Sequence, residues 1–387
     1  MLELKIIFWV AIVLVFYTYA GYPLVLALGA RRKQEERNEC STVLPTVTLI
    51  IPACNEERWI ARKIENTLAL AYPRDRLEIV VASDGSTDRT VGIARRFEPR
   101  GVTVAAFSER LGKQEMLNRL VPGASGEIVV NTDTNALLAK DAIEQLVRPF
   151  ADPSVGCAIG RRICVLQQRS VASLAEGFYW RYESWIKQAE SRWHSCLAPT
   201  GQLYAVRRSV FPHVERVGED FYIPMKVLAS TGKRSVYVPA AVAAIPAAAS
   251  LSIEFERKTR VHVFLLIALP MVKDLLVPGR TPVWWQFISH HIFRMLVPPA
   301  MMAAFLVSFA LTFASPFYFV ATLAQILFYG LALIGWIVAT IGRRPKIFYL
   351  PFYFVFVHVA LAQAWIRWPR RKADYAWQRT ERLTDAN

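Results

Sequence analysis

The sequence predicts an α/β fold built on a doubly wound sheet, joined in one chain to α-helical membrane segments. From residue 46 to about 245, short β-rich runs alternate with helical patterns, which is typical of a largely parallel sheet covered on both faces. The 387 residues are 54% hydrophobic and 20% charged, which indicates a soluble domain and a membrane part together. The length suffices for two or three domains.

The N-terminal segment is predicted to cross a membrane. Residues 6–30 carry no charge over 25 positions, more than the roughly 20 residues that span a bilayer. The basic run at 31–33 follows directly, and positive charges after a span tend to stay in the cytoplasm. We therefore expect a membrane helix over 1–33 with its N-terminus outside, a polar linker over 34–45, and a cytoplasmic domain after it.

Four β-rich runs and the helical patterns between them define the sheet domain. The expected strands are 46–52, 77–83, 102–107 and 127–132, and the expected helices lie near 56–70, 87–98, 112–120 and 138–149. A long amphipathic helix is expected over 168–195. Its aromatic stripe of Phe178, Tyr182 and Trp185 is more often a packing surface than a binding platform.

The C-terminal third is again apolar. Residues 263–294 are expected to lie in the membrane interface, with His290 and His291 on an interfacial helix. Apolar runs at about 295–313, 317–341 and 347–366 suggest three further spans within 295–368, before a basic tail at 369–387. Four spans would place that tail outside, against the positive-inside rule. Either the last segment does not cross fully, or one span is misassigned.

Charge and cysteine content narrow the partners. Lys and Arg exceed Asp and Glu by 15, which suits anionic lipid or a phosphate-bearing substrate. We expect no nucleic-acid partner, because no basic, aromatic-interleaved RNA motif and no zinc-finger spacing occurs. Five cysteines without a CxxC pair indicate a reducing compartment and neither a disulfide framework nor a zinc site.

Acidic residues follow the expected strands. In "SDGSTDRT", Asp84 and Asp88 either complete a βα turn that caps the next helix, or present a carboxylate to a ligand at the end of a parallel strand. Asp133 follows a second strand, 49 positions after Asp84. Because parallel strands end on one edge of the sheet, these carboxylates would converge and need a cation. Magnesium takes one or two carboxylates plus substrate phosphates, and Asn135 offers a neutral oxygen ligand.

Six motifs in order resemble the family 2 glycosyltransferases. They are "PACNEE", "SDGSTDRT", "GKQEMLNRLVPGASGEIVVNTDTN", "GQLYAVRRSVF", "GEDFYIPMKV" and "RKTRV", and they lie between about 46 and 262. The closest resemblance is to the membrane-embedded branch with cellulose, chitin and hyaluronan synthases. The resemblance implies a cytoplasmic GT-A domain, a doubly wound mixed sheet, over 46–262.

The resemblance also implies a role for individual residues. Matches to the family's donor-nucleotide contacts are Ala53, Asn55, Glu56, Asp84, Lys113, Arg257 and Arg260. Asp133 and Asn135 match its metal motif, which holds Mg²⁺ or Mn²⁺. Asp220 matches the general base of the "TED" or "GED" element, with Glu219 beside it on the acceptor side. Gly201 would allow an acceptor to approach closely.

One position departs from the family pattern. The tryptophan that ends the "(Q/R)xxRW" element is Val261 here. In polymerising synthases that ring helps to place the acceptor end of the chain, so its replacement puts processive synthesis in doubt. Asn135 in place of an acid is a milder change that leaves metal binding expected.

The implied function is transfer of a sugar from a nucleoside-diphosphate sugar, with UDP favoured, by an integral protein of a bacterial plasma membrane. The enzyme would invert the anomeric centre and make a β-linkage to a growing polysaccharide or a lipid-linked acceptor, with homo-oligomerisation as one way to build a polymer path. The alternatives are a non-processive glycolipid enzyme resembling ceramide glucosyltransferase, or a catalytically silent sugar-nucleotide-binding regulator. A transporter is disfavoured, because about four spans without an internal repeat suit alternating access poorly.

Overall fold

The fold was established with a computed structural model that describes residues 1–30, 44–165, 171–198, 200–215, 218–246, 250–340 and 348–370. Most of the expected linker (34–43) and of the expected basic tail (371–387) lie outside the described residues. These residues form one eight-stranded sheet with helices on both faces, and a set of long apolar helices.

The strands follow the chain in an α/β pattern. Their bounds are β1 Val47–Ala53, β2 Leu77–Asp84, β3 Val102–Phe107, β4 Ile128–Thr132, β5 Leu137–Leu138, β6 Val155–Val165, β7 Leu203–Arg207 and β8 Arg234–Pro246. The order across the sheet is β3-β2-β1-β4-β7-β6-β8-β5.

The helices of the sheet domain are α3 Ile60–Leu68, α4 Thr90–Arg95, α5 Lys113–Leu120, α6 Ala142–Val147, α7 Val171–Trp193, α8 Glu219–Thr231 and α9 Leu251–Ala268. The remaining helices are α1 Leu2–Phe16, α2 Tyr22–Ala30, α10 Trp284–Phe287, α11 Phe293–Ala310, α12 Pro316–Thr340 and α13 Tyr349–Arg367.

All four expected strands are present and run in one direction. β1 pairs in parallel with β2 and β4, and β2 pairs in parallel with β3. Every residue of β1 is buried, as expected for a central parallel strand covered on both faces. The carboxyl ends of β1, β2 and β4 therefore open onto the same edge of the sheet, and that edge carries the acidic motifs.

The second half of the sheet makes it mixed, as expected. β7 is antiparallel to β4 and to β6, while β6 and β8 are parallel to each other. β6 and β8 were not expected from the sequence. β6 contains the "GRR" break, and β8 is rich in alanine and proline, which are depleted in strands. Tertiary packing overrides this: a Cβ at Gly160 would lie 2.7 Å from Leu203 Cδ2, so only glycine lets the strands approach so closely.

Two apolar layers enclose the sheet. On one face, α3 and α6 bury Ile60, Ile64 and Leu146 against the strands. On the other, α5 and α8 bury Met116 and Ile223. Burial of a large aliphatic side chain stabilises the fold by about 1.5–3 kcal/mol, so these layers fix where the first residues of α5 and α8 stand at the sheet edge.

Within the described residues, four helical segments are long and apolar enough to cross a membrane. They are Leu2–Gly29, Trp284–Ala310, Pro316–Thr340 and Leu350–Arg367, close to the four spans expected from the sequence. Large apolar side chains such as Trp9, Leu306 and Leu327 stay exposed on them, which suits contact with lipid.

Residues 284–294, the last part of the segment expected to lie in the interface, belong to one of these helices. α10, a π-helical turn at Ile288–Ile292 and α11 form a continuous run through residue 294. His290 and His291 are buried. They bond to protein partners instead of facing the membrane surface, because α7 and the segment after it lie alongside.

The long helix α7 packs against the N-terminal helices. Tyr182 donates a hydrogen bond to the Tyr19 carbonyl at 3.1 Å, and the Trp193 ring stands where a side chain at Gly29 would be. Trp185, by contrast, is 42% exposed. The expected packing stripe is thus confirmed for Tyr182 and wrong for Trp185, whereas the side chain of Phe178 lies outside the described residues.

Candidate active site

The carboxyl edge of the sheet gathers the loops that follow β1, β2, β3 and β4. The first turns of α5 and α8 reach the same edge, because both helices begin there and run back over the sheet. Charged and polar side chains from these loops and helix starts form the candidate site.

Asp84 ends β2 and holds the loop that leads into α5. Its carboxylate accepts hydrogen bonds from the backbone N–H of Leu111 at 2.6 Å and of Gly112 at 3.1 Å. Gly85 has φ +59°, and a Cβ there would lie 2.9 Å from Arg110 N, so only glycine is accommodated. Asp84 thereby fixes the start of α5, one residue before Lys113.

Asp88 follows the first of the two alternatives for its motif, a βα turn that leads into the next helix. Its Oδ1 accepts from the Thr90 N–H at 2.9 Å and from the Thr90 hydroxyl at 2.5 Å. These bonds keep the pKa of Asp88 below its usual range, against the opposing effect of burial. Asp88 therefore supports the first turn of α4, and its Oδ2 accepts from the Glu57 N–H at 3.1 Å, which ties the loop after β2 to the turn after β1.

The turn after β1 is tied to the turn after β2. Asn55 adopts φ +54°, a left-handed conformation that asparagine tolerates. Its Oδ1 accepts from the Thr87 N–H at 2.8 Å, while the Glu56 N–H donates to Thr90 Oγ1 at 2.8 Å. Ala53, just before this turn, is fully buried. The expected nucleotide-binding residues are thus held in one rigid pair of loops.

Lys113 forms ion pairs with two acids, one in the loop after β4 and one at the start of α8. Its Nζ lies 3.0 Å from Asp133 Oδ1 and 2.7 Å from Glu219 Oε1. Lys113 is buried, and although burial alone would favour the neutral amine, the two carboxylates raise its pKa well above the ordinary value. The ammonium therefore stays charged and binds the loop after β4 to the start of α8.

Asp220 is the next residue of α8 and is half-buried. Burial first, and the Glu219 carboxylate second, raise the pKa of Asp220 to about 7, although Lys113 opposes the shift. A Cβ at Gly201 would lie 2.9 Å from Asp220 Oδ2, and one at Gly218 would lie 3.4 Å from Oδ1. The carboxylate therefore lies against a glycine on each side, where a larger side chain would press on it.

The two arginines of α9 have different surroundings. Arg257 forms a bidentate pair with Glu254, at 2.8 Å through Nε and 2.5 Å through Nη2. Burial and the neighbouring Arg257 lower the pKa of Arg260, whose guanidinium is within electrostatic reach of Asp220. The structure therefore brings Arg260 toward the acids, whereas Arg257 is already neutralised by an acid of its own helix.

Two residues next to these arginines, Lys258 and Val261, differ in burial. Lys258 is buried, with its ammonium 4.6 Å from the Tyr179 ring centre and 5.3 Å from that of Tyr353. The same ammonium lies 3.7 Å from Glu254 Oε1. Cation–π attraction holds it inside the protein. Val261 is 49% exposed, so the position of the family tryptophan points away from packed protein.

Asp133 and Asn135 fit a hard divalent cation. Asp133 keeps a partly exposed carboxylate, whose Oδ2 has one weak contact, 3.4 Å from Gln202 Nε2. Asn135 Oδ1 is buried without a hydrogen-bond partner, and an orphaned amide oxygen is a ligand that Mg²⁺ and related ions accept. Within the described residues, no group of three or more His, Cys, Asp or Glu gathers around a point, so substrate phosphates would complete the set.

Sequence reasoning missed two buried residues beneath the acids. Lys63 Nζ donates to Thr132 Oγ1 at 2.9 Å and to the Ala136 carbonyl, which closes the turn that carries Asp133. Burial lowers the pKa of Lys63 to about 7, and Asp133 opposes the shift. The Tyr204 hydroxyl is buried near the same acids without a partner. Neither has a local sequence signal, since each lies inside an ordinary amphipathic helix or strand.

Known glycosyltransferases are similar to this chain in sequence and in structure. The model of the family described as Glycosyl transferase family 2 matches residues 48–214. A mannosyltransferase from Pyrobaculum calidifontis, solved in complex with GDP-Man and Mn²⁺, is 26% identical and superimposes with a TM-score of 0.70. The match covers 95% of this chain and 100% of that one.

Curated relatives cover less. An N-acetylglucosaminyltransferase of Rhizobium leguminosarum is 24% identical over 253 residues, which are 60% of this chain and 59% of that protein. A β-monoglucosyldiacylglycerol synthase of Nostoc is 30% identical over 159 residues, or 40% of this chain and 32% of that protein. The chain thus spans between about a third and three fifths of the length of these relatives.

The superposition agrees with the mixed sheet described above. On these findings, the chain carries the GT-A fold of a glycosyltransferase, and its residues 48–214 match the model of glycosyltransferase family 2.

Proposed function

We propose that the protein is a membrane-bound inverting glycosyltransferase, which moves a sugar from a nucleoside-diphosphate sugar to a saccharide or lipid-linked acceptor. The observation that carries this proposal is Asp220, a carboxylate with a pKa of about 7 and a glycine on each side. It stands one residue from Glu219, and so beside the cluster that contains Lys113 and Asp133.

Asp220 acts as the general base. A base is most effective when its pKa lies near the operating pH, because it is then both ionised and able to hold a proton. The acceptor hydroxyl occupies the space beside Gly201 and Gly218. Asp220 takes its proton as the oxygen attacks the anomeric carbon.

The leaving nucleoside diphosphate gains negative charge during this step. Arg260 supplies positive charge on the α9 side, whereas Lys113 is already balanced by Asp133 and Glu219 and holds these acids in place. A divalent cation held by Asp133 and Asn135 would neutralise the diphosphate and improve it as a leaving group. Arg257 contributes less, because Glu254 already balances its charge.

The stereochemical outcome follows from a single displacement. One base and two reactants suffice, so the attacking oxygen enters opposite the leaving diphosphate and the anomeric centre inverts. An α-linked donor then gives a β-linkage. The family resemblance, and not the geometry, supports this part of the proposal.

The nucleotide end of the donor lies at the paired loops after β1 and β2. Ala53, Asn55, Glu56 and Asp84 make up this region. The sequence resemblance favours UDP, whereas the solved mannosyltransferase that matches nearly the whole chain holds GDP-Man. Both nucleotides therefore belong in a donor screen.

A single transfer to a lipid-linked acceptor is favoured over polymerisation. Val261 is exposed and offers no ring on which an acceptor sugar could stack. The four candidate spans bring the sheet domain to a bilayer, where a lipid acceptor is available, with the catalytic domain on the cytoplasmic side. Polymer synthesis would need either a path through these few spans or a homo-oligomer.

The proposal is tested with the purified protein in lipid nanodiscs. Radiolabelled UDP-glucose, UDP-N-acetylglucosamine and GDP-mannose are supplied one at a time, with Mn²⁺ and a bacterial lipid extract. We expect one of them to label a lipid product carrying a single sugar. A ladder of products would instead show polymerisation. Donor binding without any release of nucleoside diphosphate would favour the silent regulator and refute the proposal.

A further inference from the structure

Leu197 connects a candidate membrane span to the sheet domain. It is fully buried, and both of its backbone polar groups bond to side chains. Its N–H donates to Glu190 Oε2 at 3.0 Å, and its carbonyl accepts from His291 Nε2 at 2.9 Å. Glu190 lies near the end of α7, whereas His291 lies within the span Trp284–Ala310.

Glu190 is held by three separate parts of the chain. Besides the Leu197 N–H, its carboxylate accepts from the Tyr22 hydroxyl at 2.5 Å and from His290 Nδ1 at 2.5 Å. A fully buried carboxylate is costly unless donors satisfy it. These donors come from the N-terminal helix and from the span, so the group fixes both of them relative to Leu197.

The same segment reaches the acidic edge a few residues later. We call residues 195–198 and 200–202 the acceptor segment. Thr200 Oγ1 donates to the Gly160 carbonyl at 3.3 Å, Gly201 stands against Asp220, and Gln202 Nε2 lies 3.4 Å from Asp133 Oδ2. A segment fixed at Leu197 therefore sets the position of the wall beside the proposed base.

We propose that Glu190 and His291 are positioning residues, through which the membrane helices seat the acceptor segment beside Asp220. This inference rests on the proposed function, since it assigns the space beside Gly201 to the acceptor. The donor side is independent of it, because Asp84 and Asn55 hold their loops through bonds within the sheet domain.

The anchor can be removed without detaching the whole segment. The Cys196 N–H donates to the Ser235 carbonyl of β8 at 2.7 Å, so the segment keeps a backbone bond to the sheet. His291→Ala removes the bond to the Leu197 carbonyl, together with the packing of the ring against Phe221, Phe287 and His290. His291→Gln keeps a donor near the Nε2 position and serves as the conservative variant.

The first readout is hydrogen–deuterium exchange of the full chain in nanodiscs. We expect His291→Ala to speed amide exchange within the acceptor segment by about tenfold, the effect of one lost buried hydrogen bond, and His291→Gln to stay near the wild type. His358→Ala is the matched control, because this histidine of another span bonds to Tyr19 and Phe354 instead. Equal exchange in His291→Ala and His358→Ala would overturn the anchoring.

The second readout is the ratio of sugar transfer to donor hydrolysis by water. A positioning defect on the acceptor side lowers this ratio, whereas a general loss of stability lowers both rates together. We expect His291→Ala to reduce the ratio about tenfold and His291→Gln to restore it. An unchanged ratio would overturn the positioning role. A wild type without transfer would refute the proposed function, while the exchange data would still decide the anchoring.

Discussion

Lys113 Nζ lies 3.0 Å from Asp133 Oδ1, although the two residues belong to different loops of the sheet edge. The contact exists because Asp84 holds the backbone just before Lys113, so that α5 begins at the ends of β2 and β4. Glu219 completes the group at 2.7 Å from the same amine. One buried cation thus organises the acids beside which Asp220 stands, and the predictions below depend on this arrangement.

The rate of sugar transfer should rise with pH through about 7. Asp220 must be ionised to accept a proton, and its pKa is raised to about 7 by burial and by Glu219. Initial rates at saturating donor, measured between pH 5.5 and 9, should therefore show an ascending limb centred near 7. A flat profile over this range would argue against Asp220 as the base.

Asp220→Asn should stabilise the fold in a pH-dependent way. The folded pKa of Asp220 lies above the unfolded value, so the folded state holds the proton more tightly and loses stability as pH rises from about 4 to about 7. Asparagine does not titrate. We expect the variant to melt at a higher temperature than the wild type at pH 8, with a smaller difference at pH 5. The same difference at both pH values would contradict the shift.

Gly201→Ala should impair transfer without impairing donor binding. The added Cβ would lie 2.9 Å from Asp220 Oδ2 and force the carboxylate to move. We expect transfer to fall by 10-fold or more, about 1.4 kcal/mol of lost transition-state stabilisation, at an unchanged dissociation constant for the nucleotide. Gly123→Ala is the matched control, because no atom lies within 4 Å of its added Cβ. Similar losses in both variants would point to a general effect on folding.

Asp133 and Asn135 should determine divalent-cation binding. Asp133→Asn removes the only carboxylate of the pair and should weaken Mn²⁺ binding in the presence of UDP or GDP, whereas Asn135→Asp adds a charge and should strengthen it. Electron paramagnetic resonance of free Mn²⁺ measures both. Binding that neither substitution alters would place the ion elsewhere. EDTA should stop transfer by the wild type.

The first half of the sheet and the edge it forms were predictable from the sequence. Buried strands such as β1 and β2 read as continuous apolar runs, and the acids at their ends follow directly. The second half of the sheet was not predictable, because Gly160 and the alanines of β8 enter it through packing with partners distant in the chain.

The candidate site, too, was predictable from the sequence only in part. Motif order brought out Asp84, Asp133 and Asp220, but not what each carboxylate contacts. Asp84 bonds to backbone N–H groups, and Arg257 pairs with Glu254. Lys63 and the anchors at Leu197 depend on tertiary neighbours alone, so no local pattern could reveal them.

The most direct test of the central claim compares donor binding and transfer in Asp220→Asn, with Glu256→Gln as the control, since Glu256 pairs with Arg367 at the surface. We predict that Asp220→Asn binds the labelled donor as the wild type does but transfers its sugar about 10²–10⁴-fold more slowly, the range expected for loss of a general base. Near-normal transfer by Asp220→Asn would contradict the account.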